Sequence, residues 1–172
     1  MLLLKLIQQL IKTLNSDGTP GQVAAGMALG AALGLTPIVN LHNLVIAGIA
    51  MLLTVSMPGF FLGWALFLPL GFALDPAFDA LGRALLLGTP ALRPMWTAWY
   101  NTPVVPLTNF TNTIVLGSFV AWLVALVPLY FLLRWAVAKY RVAIFERLKR
   151  TRFFKAIGAS KLYNIYRMFQ PE

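Results

Sequence analysis

Apolar positions in this chain come as long runs broken by short polar segments, not as a regular alternation. Between Gly18 and Leu74 there is no Asp, Glu, Lys or Arg, and between Pro94 and Leu133 there is again none. A strand half-buried in a soluble sheet alternates every second residue. These runs do not, and the reading is all-α.

The first fourteen residues, MLLLKLIQQLIKTL, are the exception. Leu3, Leu6, Ile7, Leu10, Ile11 and Leu14 recur at helical spacing, with Lys5, Gln8, Gln9 and Lys12 on the other face. The polar breaks and the lack of a small-residue cleavage site argue against a signal peptide. Residues 1–15 are predicted to form an amphipathic helix lying in a membrane interface. A helix packed on the chain's own domain is the plainer alternative.

Residues 19–133 form the predicted transmembrane domain. Thr19 is a candidate N-cap with Pro20 at the first helical position. In the small-residue run that follows, Gly26, Gly30 and Gly34 form one stripe at four-residue spacing. Such stripes let two membrane helices approach backbone to backbone. Thr36-Pro37 breaks this helix, Leu44 to Val55 resumes it, and Pro58-Gly59 breaks it again. Phe60 to Leu74 follows, interrupted by Pro69. A perpendicular crossing takes about 20 residues, so these are three short spans or include a re-entrant hairpin shielded by protein.

A polar connection is predicted from Asp75 to Arg93, with Asp79 and Arg83 paired across one helical turn. Trp96, Trp99 and Tyr100 suit a membrane–water boundary. The uncharged segment Asn101–Thr113 leads into Ile114–Leu133, the clearest span. Residues 134–172 form a basic, helical tail. The fold expected is an integral membrane protein of about four short or broken transmembrane helices between the interfacial helix and the tail.

Composition strengthens the membrane reading. The chain is 59% hydrophobic and 11% charged, against about 25% charged in soluble domains. Charge then sets its orientation. Ten Lys and Arg lie between Arg134 and Arg167 with Glu146 as the single acid, and this segment carries the whole net charge of +9. Lys and Arg beside a span are retained in the cytoplasm. Lys5 and Lys12 place the N-terminus on the same side, so the crossings are even in number: four, or two with a re-entrant first pair. Arg134, Lys139, Arg141, Arg147, Lys149, Arg150, Arg152 and Lys155 are expected to meet anionic lipid headgroups, since each cation near the inner leaflet is worth about 1 kcal/mol. A membrane-tethered tail of this kind argues against nucleic acid as the partner.

Two segments concentrate polar groups among the apolar runs. TPIVNLHN (Thr36–Asn43) and TPVVPLTN (Thr102–Asn109) agree at five of eight places. They suggest either a short internal repeat around a shared site or coincidence. Thr36, Asn40, His42, Asn43, Asn101, Thr102, Asn109 and Asn112 are the candidates for a polar cavity or substrate site. Their plainer role is to bond helices together, since unpaired polar groups in hydrocarbon are costly. The chain has no cysteine and a single histidine. Thiol chemistry is excluded, and neither a metal, a cofactor nor an acid–base pair is expected. The chain is read as a non-enzyme.

The stretch Thr19–Gly82 resembles the DUF2062 family of small bacterial membrane proteins. The residues concerned are TPGQVAAGMALGAALGLTPIVNLH, SMPGFFLGW and LDPAFDALG. Gly34, Pro37 and Gly82 stand where the family has its repeated Gly, its Gly-x-x-Pro turn and its closing Leu-Gly. Leu68-Pro69 replaces the family's Asn-Pro element. The longer variety, with an added span and basic tail, is the nearest match to the whole chain. The resemblance implies a bacterial inner-membrane protein. It also implies association with large AsmA-like envelope proteins thought to carry lipid. Two functions follow as expectations. One is a non-enzymatic subunit packing with a larger partner's transmembrane helix. The other is a small transporter or channel using the Thr-Pro breaks.

Overall fold

A computed structural model of the chain describes residues 18–37 and 40–150, the side chains of 144–150 excepted. The amphipathic helix expected over residues 1–15 lies outside the described residues, as do Arg152 and Lys155. The side chains of Arg147, Lys149 and Arg150 do as well. The described residues are helical and contain no strand. Five α-helices follow in order: α1 (Pro20–Leu35), α2 (Leu41–Leu52), α3 (Met57–Leu86), α4 (Arg93–Tyr100) and α5 (Thr113–Arg150).

Local chemistry starts α1 as expected. The Gln22 amide donates to Thr19 Oγ1, and the Thr19 amide donates to Gln22 Oε1 at 2.8 Å. This reciprocal capping box satisfies two amides that the helix cannot. Pro20 follows at the first position, where its missing N–H costs nothing.

α1 is the central element, and ten of its sixteen residues are buried. Gly26, Gly30 and Gly34 face α3, where a Cβ built on them would collide with the backbone of Ser56, Phe60 and Trp64. α3 answers with its own glycines. A Cβ at Gly59 would stand 2.8 Å from the Val23 carbonyl, and one at Gly63 or Gly71 would meet the backbone of Met27 or Gly34. Residue numbers rise together along this seam, so α1 and α3 run parallel. α5 runs antiparallel to both. Gly82 and Gly117 bring α3 and α5 into backbone contact, Gly82 against Thr113 and Gly117 against Phe78. Ala24, Ala28 and Ala31 are buried on α1. Trp122 reaches from α5 to donate its indole N–H to the Ala28 carbonyl at 2.9 Å. Trp122→Phe keeps an aromatic ring and loses the donor, so we expect an unfolding midpoint in detergent lowered by the equivalent of about 1 kcal/mol.

α2 returns the chain along the outside of this trio. It buries Asn43, Ile46 and Ala50 on one stripe and exposes Leu44, Met51 and Leu52 on the other. The Ser56 amide donates to the Gln22 carbonyl at 3.1 Å, so α3 begins beside the start of α1. Arg141 donates to the Gly18 carbonyl at 2.8 Å. The start of α1, the start of α3 and the late part of α5 therefore share one end of the bundle.

Among the described residues two helices, Met57–Leu86 and Thr113–Ala143, are long and apolar enough to cross a membrane. At 1.5 Å per residue α1 and α2 reach only about 24 and 18 Å, short of the ~30 Å hydrocarbon core. The expected connection from Asp75 to Arg93 is corrected here, because α3 continues through Asp75-Pro76 to Leu86. Asp and Pro end helices by local preference. Here the Gly82–Gly117 approach to α5 rewards continuing, and Asp79 is held by Arg83 Nε at 2.8 Å and by the Thr113 hydroxyl.

Candidate functional site

The end of the bundle opposite Arg141 gathers most of the polar candidates. Thr36 and Pro37 terminate α1. Thr36 Oγ1 lies 2.7 Å from the Ala32 carbonyl oxygen and 2.8 Å from Asn43 Oδ1. Its single hydrogen is shared between these acceptors. Asn43, in the first turn of α2, donates Nδ2–H to the Pro37 carbonyl at 2.9 Å. Asn40, the residue before α2, donates to the same carbonyl oxygen, which has two lone pairs to offer. Asn109 then donates its amide to Asn40 Oδ1 at 3.0 Å across 69 residues of sequence. Thr36, Asn40, Asn43 and Asn109 thus form one hydrogen-bonded knot joining the two Thr-Pro segments.

The remaining candidates fall around it. His42 packs its ring on Phe119 with centroids 4.8 Å apart, and its Nε2 is buried without a partner among the described residues. Thr102 donates to the Trp99 carbonyl at 2.7 Å, closing α4. Asn112 caps α5, accepting from the amides of Ile114 and Val115 at 3.0 and 3.2 Å. Asn101 is exposed at the end of α4. The two segments share the use of Thr-Pro to stop a helix and then diverge. Asn43 lies inside a helix, whereas Asn109 takes a left-handed backbone with φ of 55°.

An aromatic floor lies beside the knot. Trp96 stacks on Phe110 with centroids 5.9 Å apart, Trp99 meets both edge-on, and Trp96 Nε1 donates to the Leu85 carbonyl at 3.1 Å.

The arrangement fastens the end of α1, the start of α2 and the segment before α5 to one another. Its amides and hydroxyl are turned on one another. Among the described residues no group of three or more His, Cys, Asp or Glu side chains is placed to hold a metal. The glycine stripe meets α3 of the same chain, so it offers no free face to another protein's helix. Of the tail cations, Arg134 is exposed, Lys139 lies 4.3 Å over the Trp135 ring, and Arg141 is held on Gly18.

Sequence reasoning missed three features. They are the Trp122–Ala28 bond, the Thr113–Asp79 bond and an apolar groove at the Arg141 end. The groove holds about 260 Å³ between Met27, Leu62, Leu66, Leu133, Val137 and Tyr140. The two bonds each join residues far apart in the chain, which no local pattern reports. A heptad-like run of Leu133, Ala136, Val137 and Tyr140 was the one available sign of the groove.

Comparison with known proteins agrees with the motif reading. A protein of Treponema pallidum (strain Nichols), described as "Uncharacterized protein", is 30% identical over 156 residues, covering 88% of this chain and 93% of that one. No solved structure matches the chain. The family described as "Uncharacterized protein conserved in bacteria (DUF2062)" matches residues 4–144. With that match spanning most of its length, the chain belongs to the DUF2062 family.

Proposed function

We propose that this protein is a multi-pass subunit of the bacterial inner membrane, with both termini cytoplasmic, that works by binding and not by catalysis. One observation carries the reading. The buried polar groups of the Thr-Pro knot are used up inside the chain, while the outward faces of α2, α3 and α5 are apolar. Leu44, Leu52, Phe72, Val124 and Phe131 are each more than half exposed. Such surface has to be covered by lipid or by another helix. The meeting of Gly18 with Arg141 supports ends on a common side, and the basic tail assigns that side to the cytoplasm. The partner of this reading is a larger envelope protein. Its membrane segment lies on an outward face of the bundle, and the glycine stripe stays with α3. The likeness to the longer variety of the family suggests an AsmA-like bridge in envelope lipid transport.

Gentle extraction from native membranes tests this. We expect a larger protein with a transmembrane helix to co-purify in constant ratio. That ratio should fall when tryptophans replace Leu44 and Leu52 on α2, or Val124 and Phe131 on α5. A chain that always runs alone and monomeric overturns the proposal.

The transporter reading places an aqueous path at the knot, and the mutual bonding of Thr36, Asn40 and Asn43 speaks against it. The chain has no cysteine, so introduced thiols report cleanly. We expect Thr36→Cys and Asn43→Cys, at positions only 3% exposed, to resist a membrane-impermeant maleimide. Fast labelling at both would favour the transporter.

A further inference from the structure

His42 stands in the first turn of α2, beside the knot, and its surroundings suit the uncharged ring. Nε2 is buried and has no partner among the described residues. The ring lies on Phe119, which packs in turn on Trp122 with centroids 5.8 Å apart. A protonated imidazole carries a donor on both nitrogens. Protonation would therefore turn Nε2 into a charged donor with nothing to receive it. An unpaired buried charge is among the costliest groups a fold can hold, and the attraction of a cation for a ring face is weaker than that cost.

Few other groups bear on the charge of this ring. α1, α2, the 105–108 turn and α5 as far as Leu129 hold no titratable side chain besides His42. The titratable groups of α5 begin at Tyr130, whose hydroxyl lies near Gly21 at the Arg141 end. α3 contributes Asp75, Asp79 and Arg83, and α4 contributes Arg93 and Tyr100. None of them is bonded to Nε2. Asp79 is engaged by Arg83 and Thr113, and Thr113 precedes Phe119 by about one and two-thirds turns of α5, on a different face. Burial is the largest influence on the ring and favours its neutral form, while the Thr108 backbone acts more weakly the other way.

The element that carries His42 is lightly seated. Of its twelve residues α2 buries Asn43, Ile46 and Ala50. Bonds from Asn40 and Asn43 fasten its first turn. Its later turns rest on Ile46 and Ala50, which share an apolar cluster with Ala31, Ala32 and Leu35 of α1.

We propose that His42 is an acid-sensitive latch. Neutral, it lets the first turn of α2 seat on α5, and protonated, it releases α2 and uncovers the outer side of α1. A ring that resists protonation when seated leaves the seated state fully stable above about pH 6.5, the ordinary histidine value. That stability declines as pH falls through this value. On the orientation proposed above, the latch faces away from the cytoplasm and responds to acidity outside. The latch itself needs neither that orientation nor a partner.

The test uses the full-length protein in detergent, with N-ethylmaleimide as the probe. Ala50→Cys, at a position 1% exposed, reports opening. Met51→Cys, at a position 71% exposed, corrects for the pH dependence of the thiol itself. We expect the ratio of the Ala50→Cys rate to the Met51→Cys rate to rise about fivefold to tenfold between pH 7.5 and pH 5.5, the upper figure being the limit for one proton gained on release. The ratio should stay flat when His42→Gln is added. A flat ratio with His42 in place, or an equal rise with His42→Gln, overturns the latch. His42 is the single histidine, so one imidazole signal in NMR follows it directly, and that signal decides the matter if His42→Gln fails to fold. We expect it to titrate below the ordinary histidine range in the folded protein. Titration at the ordinary value or above it overturns the proposal. Neither measurement depends on partner co-purification, so the latch and the subunit reading fail separately.

Discussion

Gly30→Leu separates α1 from α3 and unfolds the bundle. A Cβ at Gly30 runs into the Phe60 carbonyl, with the Trp64 amide 2.9 Å away. These are backbone atoms of a helix packed on both sides, and they cannot swing aside as a side chain does. Overpacking usually costs about 1–3 kcal/mol, and this site falls at or above the upper end. Against a typical stability of about 5–15 kcal/mol, the loss is large. Gly63→Leu should fail equally from the α3 side, and Gly117→Leu should open the α3–α5 seam. Gly48→Ala is the contrasting case, since an added methyl there meets nothing within 4 Å. The better helix propensity of alanine should then raise stability by up to about 1 kcal/mol. Unfolding by SDS titration, followed through tryptophan fluorescence, checks the series. Gly30→Leu protein with an unshifted midpoint would contradict the described seam.

The second large effect is expected at Asn43. It is the branch point of the knot, receiving a share of the Thr36 hydrogen and donating to Pro37. Asn43→Ala takes away both bonds and leaves a void at a position 3% exposed. Truncating one partner of a buried pair costs about 1–3 kcal/mol. Asn40 still serves Pro37 and Ala32 still serves Thr36, so a value near 2 kcal/mol is expected, at the middle of that range. A double-mutant cycle with Thr36→Val should return a coupling of about 0.5–1 kcal/mol. Strict additivity in detergent unfolding would mean that the two side chains do not act together.

What could be read from the residues divides by distance along the chain. The Thr19–Gln22 box and the Asp79–Arg83 pair involve neighbours within four residues, and both form from local spacing alone. The Gly26, Gly30 and Gly34 stripe announced close packing, because only small side chains permit it. Its partner lies at Ser56 to Trp64, and nothing in the stripe itself names that partner or says it belongs to the same chain. Asp75-Pro76 misled for the opposite reason. Its turn preference is local and real, but the contact of Gly82 with Thr113 overrides it. The polar candidates were legible as residue types. The bond between Asn40 and Asn109 was not, because it is made by the path of the backbone between them. Tyr140 shares a groove with Met27 of α1 and Leu62 of α3, a neighbourhood that its position in the sequence does not indicate.

The parallel pairing of α1 with α3 has a consequence for the order of synthesis. As α1 and α2 leave the ribosome, the glycine face of α1 has nothing to seat against, and neither helix is long enough to hold a place in a bilayer. The surface that completes α1 arrives only with Ser56 to Gly71. On the membrane reading, the earliest unit able to stay inserted without help therefore extends into α3. Until then the first two helices have to wait in a sheltered place. A nascent chain arrested before Ser56 should be extracted from membranes by alkaline wash, and one arrested well beyond Leu86 should remain.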